Sequence, residues 1–402
     1  MQSSAGVYYS FFACFLFIVA AVSAALHRRR IDPLYISGLL IGVTILGVLA
    51  NVSSHIVYDR AHGRNKEVAR RSPIDAEILG MKITDLMLPT PGHRVEFLAQ
   101  KRHGYDISSV SSNENAYAAL GVVGSIGFCV LIALLLARQS GSADATLMQG
   151  LSQLNLFAVL LATMGGFGVI FNRLVTPQIR CYNRFSIFIA FFSLFAVAIL
   201  LQRFGDRFAT TRGRRVLLAF LMTALLFLGL LDQTPKDAAC DYAGLQQRWK
   251  SDGDLVARIE ATLPPQSLIY QMPFVPFPEW PAIHRMHDYD HFRGYLHSRQ
   301  LRWSYGAMRG RPPASRDREL SEKPVEEQLP ELVRLGFAGI WVDRFGYEDN
   351  GADVEGRLGE LLQIEPLVSS DARTAFFDMT TSKKQMGSRQ ATDDQAPLQI
   401  PN

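Results

Sequence analysis

The chain has 402 residues, of which 48% are hydrophobic and 19% charged, and its formal net charge is +4. That charge is too small to point to nucleic acid. The average composition conceals two unlike parts, because six unbroken apolar stretches fill roughly the first 230 residues and then the pattern stops.

The stretches are Val7–Leu26, Leu34–Ala50, Tyr117–Ala137, Leu154–Phe171, Phe185–Leu201 and Val216–Leu231, and none contains Lys, Arg, Asp or Glu. A helix needs about 17–25 apolar residues to cross a hydrocarbon core of about 30 Å. A soluble core helix would carry charge on its outer face. The expected architecture is an α-helical polytopic membrane domain of six transmembrane helices over residues 1–235. A small soluble α/β domain over 236–380 and a disordered polar tail over 381–402 follow it.

The first stretch also resembles a secretory signal, with Ala-Val-Ser-Ala-Ala near its end. However, no basic residue precedes it, and His27-Arg28-Arg29-Arg30 follows it, so a retained helix is expected. Those arginines, Arg138, and Arg203, Arg207, Arg212, Arg214 and Arg215 fall in alternate loops. Positive charge in short loops stays cytoplasmic. The N-terminus, the loop 51–116, the loop 172–184 and everything after Asp232 are then outside.

Within loop 51–116, Ser72-Pro73 followed by Ile74-Asp75-Ala76-Glu77 predicts a helix start. An amphipathic stretch continues to Pro89, suited to the membrane interface. Lys66, Arg70, Arg71, Lys82 and Arg94 make this loop basic, as a headgroup-facing surface or as a phosphate site. Gly121, Gly124, Ser125 and Gly127 allow close helix packing in the third span. Gly165-Gly166-Phe167-Gly168 invites either a tight crossing or a break in the fourth.

The short outer loop 172–184 holds Arg173, Arg180 and Arg184 against the charge rule. Guanidinium forks match phosphate oxygens, so Arg180 and Arg184 are candidate ligands for a lipid phosphate. Pairing with acids of the outer domain is the alternative. Cys14 and Cys129 lie in apolar spans as packing residues. Cys181 and Cys240 fall outside, where a disulfide is permitted but not required.

In the C-terminal domain, Leu245–Leu263 reads as helix, Ser267–Tyr270 and Ala338–Val342 as strands, and Val325–Leu335 as helix interrupted or restarted at Pro330. Val354–Leu362 reads as helix and Thr374–Asp378 as a closing strand. Between the first strand and the second helix, His284, His287, His291 and His297 mingle with Asp288, Asp290, Arg293, Tyr289, Phe292, Tyr295, Trp303 and Tyr305. Three readings compete: a sugar site on Asp288, Asp290, His291, Arg293 and Trp303; a metal site on His287, Asp288, Asp290 and His291, at a spacing that matches no specific motif; and a structural loop that docks the domain. No pattern calls for a cofactor.

Several runs together resemble a known group. They are Gly80-Met81-Lys82 through Gly92-His93-Arg94, Asn113-Glu114-Asn115 before Gly121 and Gly124, and Arg180-Cys181-Tyr182-Asn183-Arg184. Asp288-Tyr289-Asp290-His291-Phe292-Arg293-Gly294-Tyr295 with Arg302-Trp303-Ser304 completes the set. The chain thereby resembles bacterial polytopic membrane proteins similar to the glycosyltransferase C superfamily, some labelled sugar translocase or phosphoglycerol transferase. The resemblance implies a cell-envelope protein of the bacterial inner membrane with an extracytoplasmic, periplasmic C-terminal domain. It would act on a polyprenyl-phosphate-linked sugar and a glycan acceptor, with His93, Arg94, Arg180 and Arg184 on the phosphate. Glu77, Glu114 and Asp290 are candidate bases. The superfamily's acidic catalytic loop is missing, so the chain looks like a truncated C-terminal half or like one that works with a partner, for which an upstream-encoded membrane fragment is the candidate. The alternative is a non-enzymatic translocase or assembly subunit.

Overall fold

The structure, a computed structural model, describes residues 6–68, 71–109, 114–136, 142–236 and 239–380. These fall into two compact units. One comprises the described residues of Met1–Gly63 and Arg71–Cys240, the other those of Arg64–Arg70 and Asp241–Asn402. The expected tail 381–402, Arg138 and Asn113 lie outside the described residues.

In the first unit, α1 (Val7–Arg28) and α2 (Asp32–His62) form an antiparallel pair. The chain then makes the short helices α3 (Asp75–Ile78) and α4 (Ile83–Met87) and the longer α5 (Glu96–Ser108). The helices α6 (Gly121–Leu134), α7 (Ala143–Ala162), α8 (Phe167–Leu174), α9 (Ser186–Phe208) and α10 (Arg212–Gln233) complete it. Among the described residues, five helical segments are long and apolar enough to cross a membrane, by length and composition: α1, α2, α7, the Tyr182–Phe208 segment that contains α9, and α10. Of the remaining expected span, Tyr117–Ala137, the described residues form the 14-residue apolar helix α6. At 1.5 Å per residue that is about 21 Å, short of a hydrocarbon core.

The fourth apolar stretch is not one helix. α7 begins 11 residues earlier than expected, ends at Ala162, and α8 restarts at Phe167. Gly165 adopts φ +72°, and a Cβ on Gly166 would lie 2.3 Å from the Leu160 carbonyl oxygen, so the break needs glycine at both positions. A break inside apolar surroundings exposes backbone groups that cost several kcal/mol each if unpaired. The expected amphipathic helix is itself interrupted to meet them. Met81 N donates to the Ala162 carbonyl at 2.8 Å, and Met164 N donates to the Met81 carbonyl at 3.1 Å. Asn115 Nδ2 caps the Gly80 carbonyl at 2.6 Å. Met81 and Leu86 are consequently fully buried.

The core of this unit is aromatic. Phe12 meets Phe185 with ring centroids 4.6 Å apart, and Phe11 meets Phe171 at 4.7 Å. α6 crosses α9 at Gly127, where a Cβ would sit 2.1 Å from the Ser193 carbonyl oxygen. α10 buries no residue against the protein. Cys181 and Cys240 are both free thiols, so the permitted disulfide is not formed.

The second unit is α/β, as expected. α11 (Tyr242–Thr262) leads to β1 (Leu268–Met272), then α12 (Phe292–His297) and β2 (Arg302–Trp303). α13 (Pro312–Ser321), α14 (Val325–Arg334), β3 (Phe337–Asp343), α15 (Ala352–Leu362), β4 (Leu367–Val368) and β5 (Thr374–Asp378) follow. The sheet order is β2-β1-β3-β5-β4. β1 pairs in parallel with β2 and β3, while β5 runs antiparallel to β3 and β4. Pro330 sits inside a continuous α14 and does not restart it. One lost hydrogen bond is outweighed by burial of Leu329, Leu332 and Val333 on the sheet-facing side.

Candidate functional site

The residues expected to bind phosphate separate into two groups. In the short loop, a 3-10 turn over Tyr182–Phe185 presents Arg184 to solvent, with its guanidinium 5.2 Å above the Tyr8 ring. Arg180 is half-buried, and its Nε has no hydrogen-bond partner among the described residues. Neither arginine forms an ion pair with an acid among the described residues of its own unit. Arg173 is exposed at the end of α8.

His93 and Arg94 lie elsewhere, at the end of α10. His93 is buried, its Nδ1 accepts from Val95 N at 3.0 Å, and its Nε2 meets Asp232 Oδ1 at 3.1 Å. With Nδ1 accepting, Nε2 carries the proton and donates to the carboxylate. Asp232 Oδ2 in turn accepts from Val122 N at 2.8 Å, which caps the N-terminus of α6. Both imidazole nitrogens are thus engaged, and His93 is a clamp rather than an open ligand.

Arg94 differs. Its Nε donates to the Thr234 carbonyl at 2.9 Å, and its two Nη groups have no partner among the described residues. It lines a cavity of 440 Å³ with Val95, Leu98, Val122, Val123, Leu225 and Leu228. The walls come from α5, α6 and α10 and are apolar, with the His93–Asp232 pair among the lining residues. An exposed guanidinium beside an apolar groove suits an amphiphile with an anionic head. Asp232 is the residue the sequence reading missed here. Its signal was a lone acid directly after a run of apolar residues.

In the second unit, β1 has β2 on one side and β3 on the other, so the crevice beyond their carboxyl ends is the switch point where α/β sheets bind ligands. The polar-aromatic segment fills that crevice. Met286 and His291 are buried, and His291 Nε2 donates to the Pro273 carbonyl at 2.7 Å, just past β1. At the end of β3, Asp343 receives a fork from Arg373, with Nε to Oδ1 at 2.9 Å and Nη2 to Oδ2 at 2.7 Å. The same Nη2 reaches Asp290 at 2.7 Å, and the Arg373 guanidinium lies 4.4 Å above the Phe345 ring. Burial works against the Arg373 charge, but the Asp343 and Asp290 carboxylates outweigh it and push its pKa up. Arg293 forks onto Asp252 at 2.9 and 2.8 Å.

Most of the expected sugar residues therefore serve the fold. Asp290 and Arg293 are committed to ion pairs. Trp303 is half-buried, packs 5.3 Å from Trp341 and covers Gly294. Asp288 alone is half-exposed with no side-chain partner among the described residues. No three His, Cys, Asp or Glu side chains among the described residues are grouped to hold a metal, because the carbonyl of Pro273 and the guanidinium of Arg373 take up the relevant atoms. Of the candidate bases, Glu77 is half-buried on α3 and Asp290 is paired. Glu114 opens the 3-10 turn Glu114–Tyr117, and its side chain lies outside the described residues.

Burial holds the His291 pKa below its ordinary value, and the Pro273 carbonyl, Asp343 and Asp290 oppose this only in part, while Arg373 adds to it. His297 shifts the same way through burial, with Asp252 opposing and Arg293 assisting. A depressed histidine contributes stability that is present above its unfolded pKa of about 6.5 and is lost as pH falls through it. Protection of the β3 amides from hydrogen exchange is expected to fall between about pH 7 and 5, by up to about 1.4 kcal/mol per pH unit for each proton. In His291→Gln that dependence should be shallower. An unchanged slope would show that His291 does not set it.

No family model matches the chain, and no curated protein matches it.

Proposed function

We propose that this is a glycosyltransferase-like integral membrane protein that binds a polyprenyl-phosphate-linked sugar at the outer face of the membrane. The observation that carries the reading is the apolar groove between α5, α6 and α10 with the unpaired Nη groups of Arg94 beside it. An isoprenoid chain would lie against Leu98, Val123, Leu225 and Leu228, and α10 leaves this side open because it buries nothing against the protein. The phosphate would meet Arg94. Arg180 and Arg184, without acidic partners among the described residues of that unit, supply a second basic position, and Asp288, a half-exposed carboxylate without a side-chain partner among the described residues, would serve a glycan acceptor.

The sidedness draws support from Asn65, in the loop after α2. Its Nδ2 donates to the Arg309 carbonyl at 2.8 Å inside the α/β unit. That bond is compatible with the arginine distribution, which puts the loop 51–116 and everything after Asp232 on one side.

A non-enzymatic translocase or assembly subunit is the second reading, and one observation favours it. Asp232 is the carboxylate lining the groove, and both its oxygens are committed, to His93 and to Val122 N. A general base needs an open acceptor near the attacking hydroxyl.

Binding of a polyprenyl phosphate and of the neutral polyprenol to the purified chain in nanodiscs tests the proposal. The phosphate is expected to bind more tightly than the alcohol. Arg94→Gln should lose about 10- to 100-fold in affinity, the scale of a hydrogen bond to a charged group. Equal binding of phosphate and alcohol would refute the phosphate role. A loss confined to the Arg180→Gln, Arg184→Gln double variant would move the head group to the short loop. Transfer of labelled sugar to a glycan, present or absent, then separates the enzymatic from the assembly reading.

A further inference from the structure

A cavity of 540 Å³ in the α/β unit, lined in part by the segment that leaves the end of β1, takes no part in the lipid reading. Its lining includes Phe274, Trp280, Arg309, Glu67, Arg318 and Glu319. We infer that it is a binding site for a neutral glycan, with Trp280 as the stacking platform.

The pocket is held by contacts from several parts of the chain. Residues 274–280 leave the end of β1 and bridge in parallel to Met308 through Phe277, with Arg309 N donating to the Phe277 carbonyl at 2.8 Å. Asn65 fastens the next turn. Its side chain holds the Arg309 carbonyl, and Gly310, at φ +75°, leaves room for its amide, where a Cβ would lie 2.4 Å from Asn65 Oδ1. α13 contributes Arg318, Glu319 and Glu322 along one side. Glu279 stands in the left-handed region at φ +56° immediately before Trp280. A non-glycine residue held there is uncommon and is maintained by its surroundings.

The charges select the ligand. Glu322 pairs with Arg318 at 3.4 Å, which leaves Glu67 and Glu319 as acceptors without a side-chain partner among the described residues. Arg309 is the matching donor. It lies 5.8 Å from the Trp280 ring centre, and its Nε is buried with no hydrogen-bond partner among the described residues. A phosphate or uronate would face the two unpaired carboxylates, and a cation would face the Arg309 guanidinium. A neutral polyol satisfies both, because each hydroxyl donates to a carboxylate and accepts from an N–H. The half-exposed indole offers the flat apolar surface that a sugar's C–H face covers, as amphipathic aromatics do at wet interfaces. The volume falls in the ordinary range for small-ligand sites, about 300–1,000 Å³.

The test uses the full chain in nanodiscs, free of glycoside detergent and of polyprenyl lipid, so its outcome is independent of the lipid proposal. Maltotriose, chitotriose and mannotriose are titrated by calorimetry with tryptophan fluorescence as a second readout. At least one is expected to bind saturably. Trp280→Ala and Arg309→Gln should each weaken it about tenfold or more, corresponding to about 1.4 kcal/mol. Trp280→Phe, which keeps an aromatic face, should recover most of the affinity, and Glu319→Gln on the exposed side of α13 should weaken binding without altering thermal stability. The inference is overturned if none of the three saturates up to about 10 mM, a Kd weaker than any specific site of this size would give. It is equally overturned if Trp280→Ala binds as the parent does, or if a uronic trisaccharide binds more tightly than the neutral ones.

Discussion

Arg373→Gln is expected to destabilise the α/β unit by about 3–5 kcal/mol, the cost of orphaning a buried charge. Arg373 is the common partner of two carboxylates. Asp343 is 2% exposed at the end of the central strand β3, and Asp290 belongs to the segment that closes the crevice. Without the guanidinium both carboxylates lose their charged partner, one of them with almost no access to water. Gln offers a single amide in place of a planar fork and also removes one of the two guanidinium groups that face the Phe345 ring. Because the chain has two units, a single melting temperature does not report on one of them. Hydrogen exchange of the β3 and β5 amides in the full chain is the appropriate measurement. Arg373→Met combined with Asp343→Asn should recover part of the loss, since it removes charge on both sides. A change below about 1 kcal/mol in the single variant would mean that water or a local shift solvates Asp343, and the network would not be a structural centre.

Gly127→Val is expected to disrupt the membrane unit, at or above the upper end of the about 1–3 kcal/mol usual for overpacking. The added Cβ would meet the Ser193 carbonyl oxygen at 2.1 Å and its carbon at 2.7 Å. Backbone cannot rotate away as a side chain can, so α6 and α9 must separate along their crossing. Both helices carry further packing into the aromatic core, and the separation spreads to Phe128, Leu131 and Phe192. Thermal stability in detergent, followed by size-exclusion chromatography, should show early loss of the monodisperse peak. Gly150→Ala is the control, because a Cβ at that position on α7 meets nothing within 4 Å and a helix gains from the exchange. If Gly127→Val and Gly150→Ala behaved alike, the α6–α9 crossing would not be as close as described.

Residues whose role depends on near neighbours were legible in the sequence. The charge-free apolar runs marked the long apolar helices, because length and hydropathy are local properties. Thr374–Asp378 was read as a strand at its full extent, and Gly127 was recognised in a row of small residues. The glycines at 165–168 showed that a break or a close crossing was available, yet not which of the two. Only tertiary structure decided for the break, because its exposed backbone is paired by Met81, from a different part of the chain. The same reason shortened the expected amphipathic helix before Pro89. A segment that supplies hydrogen bonds to a neighbour cannot spend them on its own helix.

The candidate site divides along the same line. His93, Asp290 and Arg293 stood out by residue type, but their partners Asp232, Arg373 and Asp252 lie 139, 83 and 41 residues away. An ionisable side chain in a polar-aromatic run reads alike whether it faces a ligand or an opposite charge in its own domain. The sequence by itself determined which residues are ionisable and which segments are long and apolar. Which of those residues remain open, as Arg94 does, and which are consumed by the fold was settled by long-range contacts, since a hydrogen bond or ion pair requires atoms within about 3 Å and sequence order carries no such distance.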